Sequence, residues 1–280
     1  MFRKYILRNL RAKIGIGIIV LFGLVAAFAP QLAPHNPWSI AFMPWERPSA
    51  DHILGVNSLG QDILSQLIHG ARPTMMVGIF AGFIASLIGV LVGLVAGYKG
   101  GWIDEGLMRF VDVMLALPSL ALIIVIASFV EYMSLFYTVT IIGMLNWLWM
   151  ARTIRSQTLT ESRREYVDAA KSLGMGDFEI MFKEILPNIV PVVTANMVMV
   201  ITVSMLTEAT MSFLGIGDPM MISWGRMLAI AFDTGAIFMR AWAWLIPPGI
   251  AISILGYSFM LIGNSFLDIY SSDRGGAVNL

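Results

Sequence analysis

The sequence predicts an all-α integral membrane protein with about six transmembrane helices. Apolar residues make up 58% of its 280 positions and charged residues only 13%, where an ordinary soluble domain is roughly 25% charged. Apolar stretches near 14–30, 75–98, 111–130, 135–151, 191–214 and 244–266 reach or approach the length of about 20 residues that a hydrocarbon core demands. The basic residues are placed asymmetrically about these stretches. With the N-terminus inside, only Arg47, Arg72, Arg226 and Arg240 of the 18 Lys and Arg fall in outer segments, which puts both termini in the cytoplasm.

The ends of the chain follow from the same count. Residues 1–13 form a basic cytoplasmic N-terminus with Arg3, Lys4, Arg8, Arg11 and Lys13, and residues 14–30 form the first span. That span ends in "AFAP", an Ala-x-Ala-like site at Ala27 and Ala29, but its apolar run exceeds the signal-peptide norm of about 7–15 residues and reads as a retained helix. Residues 31–74 form an outer segment whose prolines, from Pro34 to Pro48, keep its first half extended or turned. Its second half, "SLGQDILSQLIHGARP", reads as a short amphipathic surface helix with Asp62 in the first turn and Gly70 as its stop. His35, His52 and His69, the three histidines of the chain, all lie here at spacings that match no metal motif and read as solvated loop residues, so no metal site is expected.

A core of five further helices occupies 75–266, with a cytoplasmic loop at 152–190 and an outer segment at 215–243; residues 267–280 are left as a cytoplasmic tail. In the second span Gly82, Gly89, Gly93 and Gly97 make a small-residue face for close helix packing. "SWGRMLAIAF" in the outer segment is apolar but too short to span, and reads as a half-inserted or surface helix. Asp112 and Glu208 are the carboxylates deepest in apolar sequence, where an acid costs about 2.5–3.5 kcal/mol and must face protein or water. Arg109 is one turn from Asp112 and available to neutralise it, and Ser204 is one turn from Glu208. Glu208, with Asn196 near it in sequence, is the candidate for a translocation path.

The cytoplasmic loop holds the longest polar helical stretch, "EYVDAAKSLGMGDFEIMFKEILPN", Glu165 to Asn188. Tyr166, Ala169, Ala170 and Leu173 fall at i, i+3, i+4 and i+7, a shallow apolar stripe beside Glu165, Asp168 and Lys171. Gly174 suits a left-handed cap, Asp177 restarts the chain as an N-cap, and a second amphipathic helix runs to Pro187. Acidic and basic residues interleave, which favours a protein partner over lipid headgroups.

"EYVDAAKSLG", nine residues, then "EILPNI" resembles the EAA loop of permease subunits of binding-protein-dependent ABC importers, with Asp168 in place of the usual Glu. "HILGVNSLGQDILSQLIHGARPTMMVG", "AGYKGGWIDEGLMRFVDVMLALPSL" and "EATMSFLGIGDPMMISWGRML" are similar to segments of the dipeptide and oligopeptide permeases, and to the shorter of their two paralogous subunits in particular. Gln61 departs from this pattern, which usually has Arg there. The resemblance implies a type I importer fold in a prokaryotic inner membrane, working beside a second permease subunit, two cytoplasmic ATPases and an extracytoplasmic binding protein. It implies a surface for ATPase coupling at Glu165, Tyr166, Asp168, Ala169, Ala170, Leu173, Gly174, Leu186 and Pro187, and short peptides as substrate, with oligosaccharide or nickel as alternatives.

The chain itself is then neither an enzyme nor the holder of a cofactor, ATP and Mg belonging to the partner ATPases. In agreement, it contains no G-x-x-x-x-G-K-[ST] loop, Lys171-Ser172 being preceded by Ala170. A secondary transporter is the rival from another class; it calls for internal repeats and midplane ion sites, and no duplication is visible. The absence of Cys excludes disulfides and thiolate chemistry, and a net charge of zero favours no nucleic acid partner.

Overall fold

The computed structural model describes residues 9–276, with side chains through 266. The expected positions of Arg3, Lys4 and Arg8 lie outside the described residues. Within them the chain is helical, relieved by one isolated antiparallel bridge between Val56 and Asp62. Helix α1 (Leu10–Ala27) is followed by a single turn, α2 (Ala29–Leu32), and then by a folded segment without regular helix. Long helix α3 (Ile63–Lys99) leads into α4 (Gly101–Ala116) and α5 (Ser119–Ser128), and α6 (Leu135–Leu145) into α7 (Leu148–Glu161). The elbow is α8 (Glu165–Ser172) and α9 (Asp177–Glu179). A π-helical stretch (Ile180–Ile185), α10 (Leu186–Phe213), α11 (Trp224–Asp233) and α12 (Trp242–Gly276) complete the fold.

Among the described residues four helices are long and apolar enough to cross a membrane, and α4 with α5 makes a fifth if that pair, bent by 87°, counts as one span. The bend falls at Leu117 and Pro118, as expected where Pro cannot extend the preceding helix. The expected fourth span at 135–151 is broken at Asn146 and Trp147, leaving α6 as a shorter apolar helix of 11 residues.

Several expected boundaries are corrected. No separate surface helix ends at Gly70: Asp62 caps α3, its carboxylate accepting from the Ser65 N–H at 2.8 Å, and the helix runs on through Gly70 and Pro73 for 37 residues, about 55 Å at 1.5 Å per residue. Gly70 is instead where Trp224 packs, an added Cβ there lying 2.7 Å from the indole. Nor does Pro187 end a second coupling helix. It occupies the first turn of α10, where its missing N–H costs nothing, so the elbow's second limb continues as a span. Helix α12 likewise continues past 266 to Gly276.

The glycine face of α3 is as the sequence predicts. A Cβ at Gly93 would sit 2.8 Å from the Ala151 carbonyl and 2.9 Å from the Arg155 nitrogen, so α7 touches α3 backbone to backbone. Helix α11 is no surface helix: Trp224, Gly225, Met227, Ala229 and Ala231 are buried, and Gly225 lets it abut the Ala209 carbonyl of α10. Its apolar face joins Ile63, Met205, Trp244 and Leu255 in a first core. A second core, at the opposite end of α3, gathers Leu94, Ile154, Val167, Ala170, Ile180, Ile185 and Ile189. Outside the first span's end, the segment is internally bonded: Gln61, 7% exposed, accepts from the Asn57 amide at 3.0 Å and the Gln66 amide at 2.8 Å.

Candidate coupling surface and transport cavity

The elbow is built by what α8 buries. Val167 is fully buried and Ala170 is 5% exposed, both inside the second core, so the face that holds α8 to the bundle is Val167–Ala170. The expected stripe is therefore split. Tyr166 is half-buried and its hydroxyl donates to Glu161 Oε2 at 3.1 Å. Burial, then the adjoining Glu161 carboxylate, pushes that hydroxyl up to about 12, which keeps it protonated as a donor at physiological pH. Ala169 points outward with Glu165, Asp168 and Lys171, and Leu173 is 83% exposed. Ala170, expected on the outward surface, belongs to the anchoring face because positions three apart share a side of a helix.

The helix then stops sharply. Leu173 N–H donates to the Ala169 carbonyl at 3.0 Å and Met175 N–H to the Ala170 carbonyl at 3.2 Å, while Gly174 adopts φ +80. This is the left-handed glycine cap that the sequence predicts. Among the described residues nothing lies within 4 Å of a Cβ at Gly174, so the position is open as well as left-handed. Phe178, 71% exposed, adds to the apolar surface and stacks near Phe182 at 4.4 Å between centroids.

Asp177 is not the N-cap; Gly176 is. Asp177 instead ties the elbow to the end of α3, accepting from the Tyr98 hydroxyl at 2.9 Å and pairing with Lys99, while Lys171 lies 5.8 Å over the Tyr98 ring. Tyr98 and Lys99 were not legible as partners of the loop, because they lie 79 and 78 positions before Asp177. Ion pairs also join α4 to α7: Arg155 Nε donates to Asp104 at 2.8 Å, and Arg152 pairs with Asp112. Arg109, expected to neutralise Asp112, pairs with Glu105 in its own helix.

The two candidate path residues separate. Asn196 lines a cavity of about 350 Å³ together with Met114, Asn146, Trp149, Met199 and Thr207. Glu208 does not line it: it is 3% exposed, faces the chain's own interior, and accepts from Ser212 Oγ at 2.7 Å. Ser204, expected as its partner, accepts from the Asn146 amide at 3.2 Å. Leu186 is half-buried and Pro187 exposed at the start of α10.

A membrane bundle with an outward-facing elbow is a recurrent arrangement, and comparison decides which. The profile described as "Binding-protein-dependent transport system inner membrane component" matches residues 89–273. The chain belongs to this family. The N-terminal part, residues 1–47, matches the N-terminal transmembrane domain of oligopeptide transport permease C. Among the curated relatives of this inner-membrane component, the dipeptide transport system permease protein DppC of Bacillus subtilis is 34% identical over 93% of this chain and 81% of its own length. The oligopeptide transport system permease protein OppC of the same organism is 33% identical over 93% of this chain and 85% of its own. The DppC protein of Haemophilus influenzae is 35% identical over 94% and 91%.

Proposed function

We propose that this inner-membrane component is the permease subunit of an ATP-driven importer of short peptides, coupled to cytoplasmic ATPases through α8. The observation that carries the reading is the elbow's two-sidedness: Val167 and Ala170 are buried in the bundle while Leu173 is 83% exposed beside the open Gly174. Leu173 and Phe178 together give the elbow an exposed apolar surface, which gains on docking into a cleft. Glu165, Asp168, Ala169, Leu173 and Gly174 are the contacting residues; Tyr166, Ala170, Leu186 and Pro187 hold them in place. The excess of Lys and Arg on this side of the spans supports a cytoplasmic elbow.

Motion of α8 passes to two spans. The Asp177 contacts with Tyr98 and Lys99 lead it into α3, and the π-helical stretch leads it into α10, which carries Asn196 to the cavity. A second, paralogous permease closes that cavity, and an extracytoplasmic binding protein delivers the substrate. The peptide class is taken from relatives named for dipeptide and oligopeptide transport.

Reconstitution of the complex with its co-purified subunits tests this reading. Uptake of labelled di- and tripeptides should require ATP and the binding protein. Uptake by this chain alone without ATP would replace the reading with a secondary transporter, and uptake of oligosaccharides in place of peptides would overturn the substrate class.

A further inference from the structure

We propose that the outer segment carries a metal site, formed by His35, His52 and Asp62, which takes one divalent cation of zinc-like softness and pins the segment to the start of α3. The three residues come from separate places: His35 follows α2, His52 lies in the turns before Val56, and Asp62 caps α3. One donor atom from each lies within 4.8 Å of the others. Ligands bound to zinc at about 2.0–2.2 Å in tetrahedral geometry stand roughly 3.3 Å apart, so side-chain adjustments of about 1.5 Å close the widest pair. The His52 Nδ1 and Asp62 Oδ1 atoms are already 3.0 Å apart, with Nδ1–H donating to the carboxylate; the metal takes the place of that hydrogen, and the neutral ring carries its proton on Nε2.

The surroundings hold these groups as an outer shell holds ligands. Asp62 Oδ2 accepts from both the N–H and the hydroxyl of Ser65, at 2.8 and 2.7 Å. His35 Nε2 lies 3.1 Å from the Asp51 carbonyl. A carbonyl only accepts, so Nε2 carries the hydrogen and Nδ1 keeps the lone pair that a metal requires. The Phe42 ring packs on both imidazoles, at 4.9 and 4.4 Å between centroids, and restricts water. His52 is 5% exposed and Asp62 fully buried, whereas His35 is half-buried, which leaves one side open for entry and for a fourth ligand.

Two imidazoles and one carboxylate suit Zn²⁺ and its neighbours, whereas Ca²⁺ and Mg²⁺ demand at least six ligands, mostly oxygens. Bound there, the ion cross-links positions 35, 52 and 62 and fixes the outer segment. The expectation of solvated loop histidines fails at His52 for the same reason the site exists: the segment folds back on itself and buries that ring.

The experiment is zinc titration of the full-length protein in detergent, stripped by chelator and competed against a chromophoric chelator, with cobalt as the spectroscopic substitute. One zinc per chain is expected at about micromolar affinity or tighter. Cobalt should give the intense visible bands of a tetrahedral site. Ser65→Ala, which removes an outer-shell donor, should weaken zinc by about 10- to 100-fold; His35→Ala and His52→Gln should weaken it further. His69→Ala should leave it unchanged, since His69 bonds the Ser65 carbonyl and lies outside the cluster. If His52→Gln fails to fold, His35→Ala decides, because its half-buried ring lies at the open edge of the cluster. No stoichiometric zinc, or zinc bound equally by His35→Ala and the wild type, would overturn the site and leave a hydrogen-bonded His52–Asp62 pair.

Discussion

Gly174 sits at the tip of the proposed coupling surface, with open space beside it and a backbone held at φ +80. A left-handed conformation costs a non-glycine residue about 1–2 kcal/mol. Gly174→Val should therefore fold and insert normally, because this strain falls outside the core, yet lower peptide uptake by roughly tenfold, the rate equivalent of about 1.4 kcal/mol. Simultaneous assays of ATP hydrolysis and uptake check it; unchanged uptake would remove Gly174 from the coupling surface. Asn196 and Glu208 make an opposed pair. Asn196→Leu fills the cavity wall and should reduce uptake with assembly intact, whereas Glu208→Gln, acting at a buried carboxylate away from the cavity, should leave uptake unchanged while shifting thermal stability. A transport defect in Glu208→Gln at normal stability would restore it to the path.

The helices explain what was legible and what was not. Helix α3 was readable in its apolar length and glycine face, because both are properties of spacing along one strand of sequence. Its start was not, because Gly70 looks like a stop until Trp224, 154 positions further along, is seen to need that space. The same holds for the elbow: its cap at Gly174 was written locally, while its attachment to Tyr98 and Lys99 is a tertiary fact. Gly93→Val should test the packing, since a Cβ there meets backbone atoms of α7; the overpacking should cost about 1–3 kcal/mol, read as a lower melting temperature. Asp177→Ala gives the contrasting outcome. Its contacts are exposed, worth about 0–1 kcal/mol in stability, so thermal melting should barely move while uptake per ATP hydrolysed falls. Unaltered coupling in that variant would mean that α3 does not receive the motion of α8.

For the assembled protein, the family was legible from the loop motif, and the bundle adds which side of α8 is free. The sequence stripe put Ala170 outward because it counted alanine with leucine; burial assigns Ala170 and Val167 to the anchor and leaves Leu173 for a partner. Span number was harder to read, since the break at Asn146 and Trp147 and the bend at Pro118 divide stretches that hydropathy alone would join. The chain has no cysteine, so Leu173→Cys introduces its sole thiol. Cross-linking from that thiol in the purified complex, with Ala170→Cys as the buried control, measures the docking directly. A covalent product with an ATPase subunit is expected from position 173, changing in yield on ATP addition, and none from position 170. A thiol at 173 that reacts freely with small reagents in the intact complex and forms no such product would contradict it.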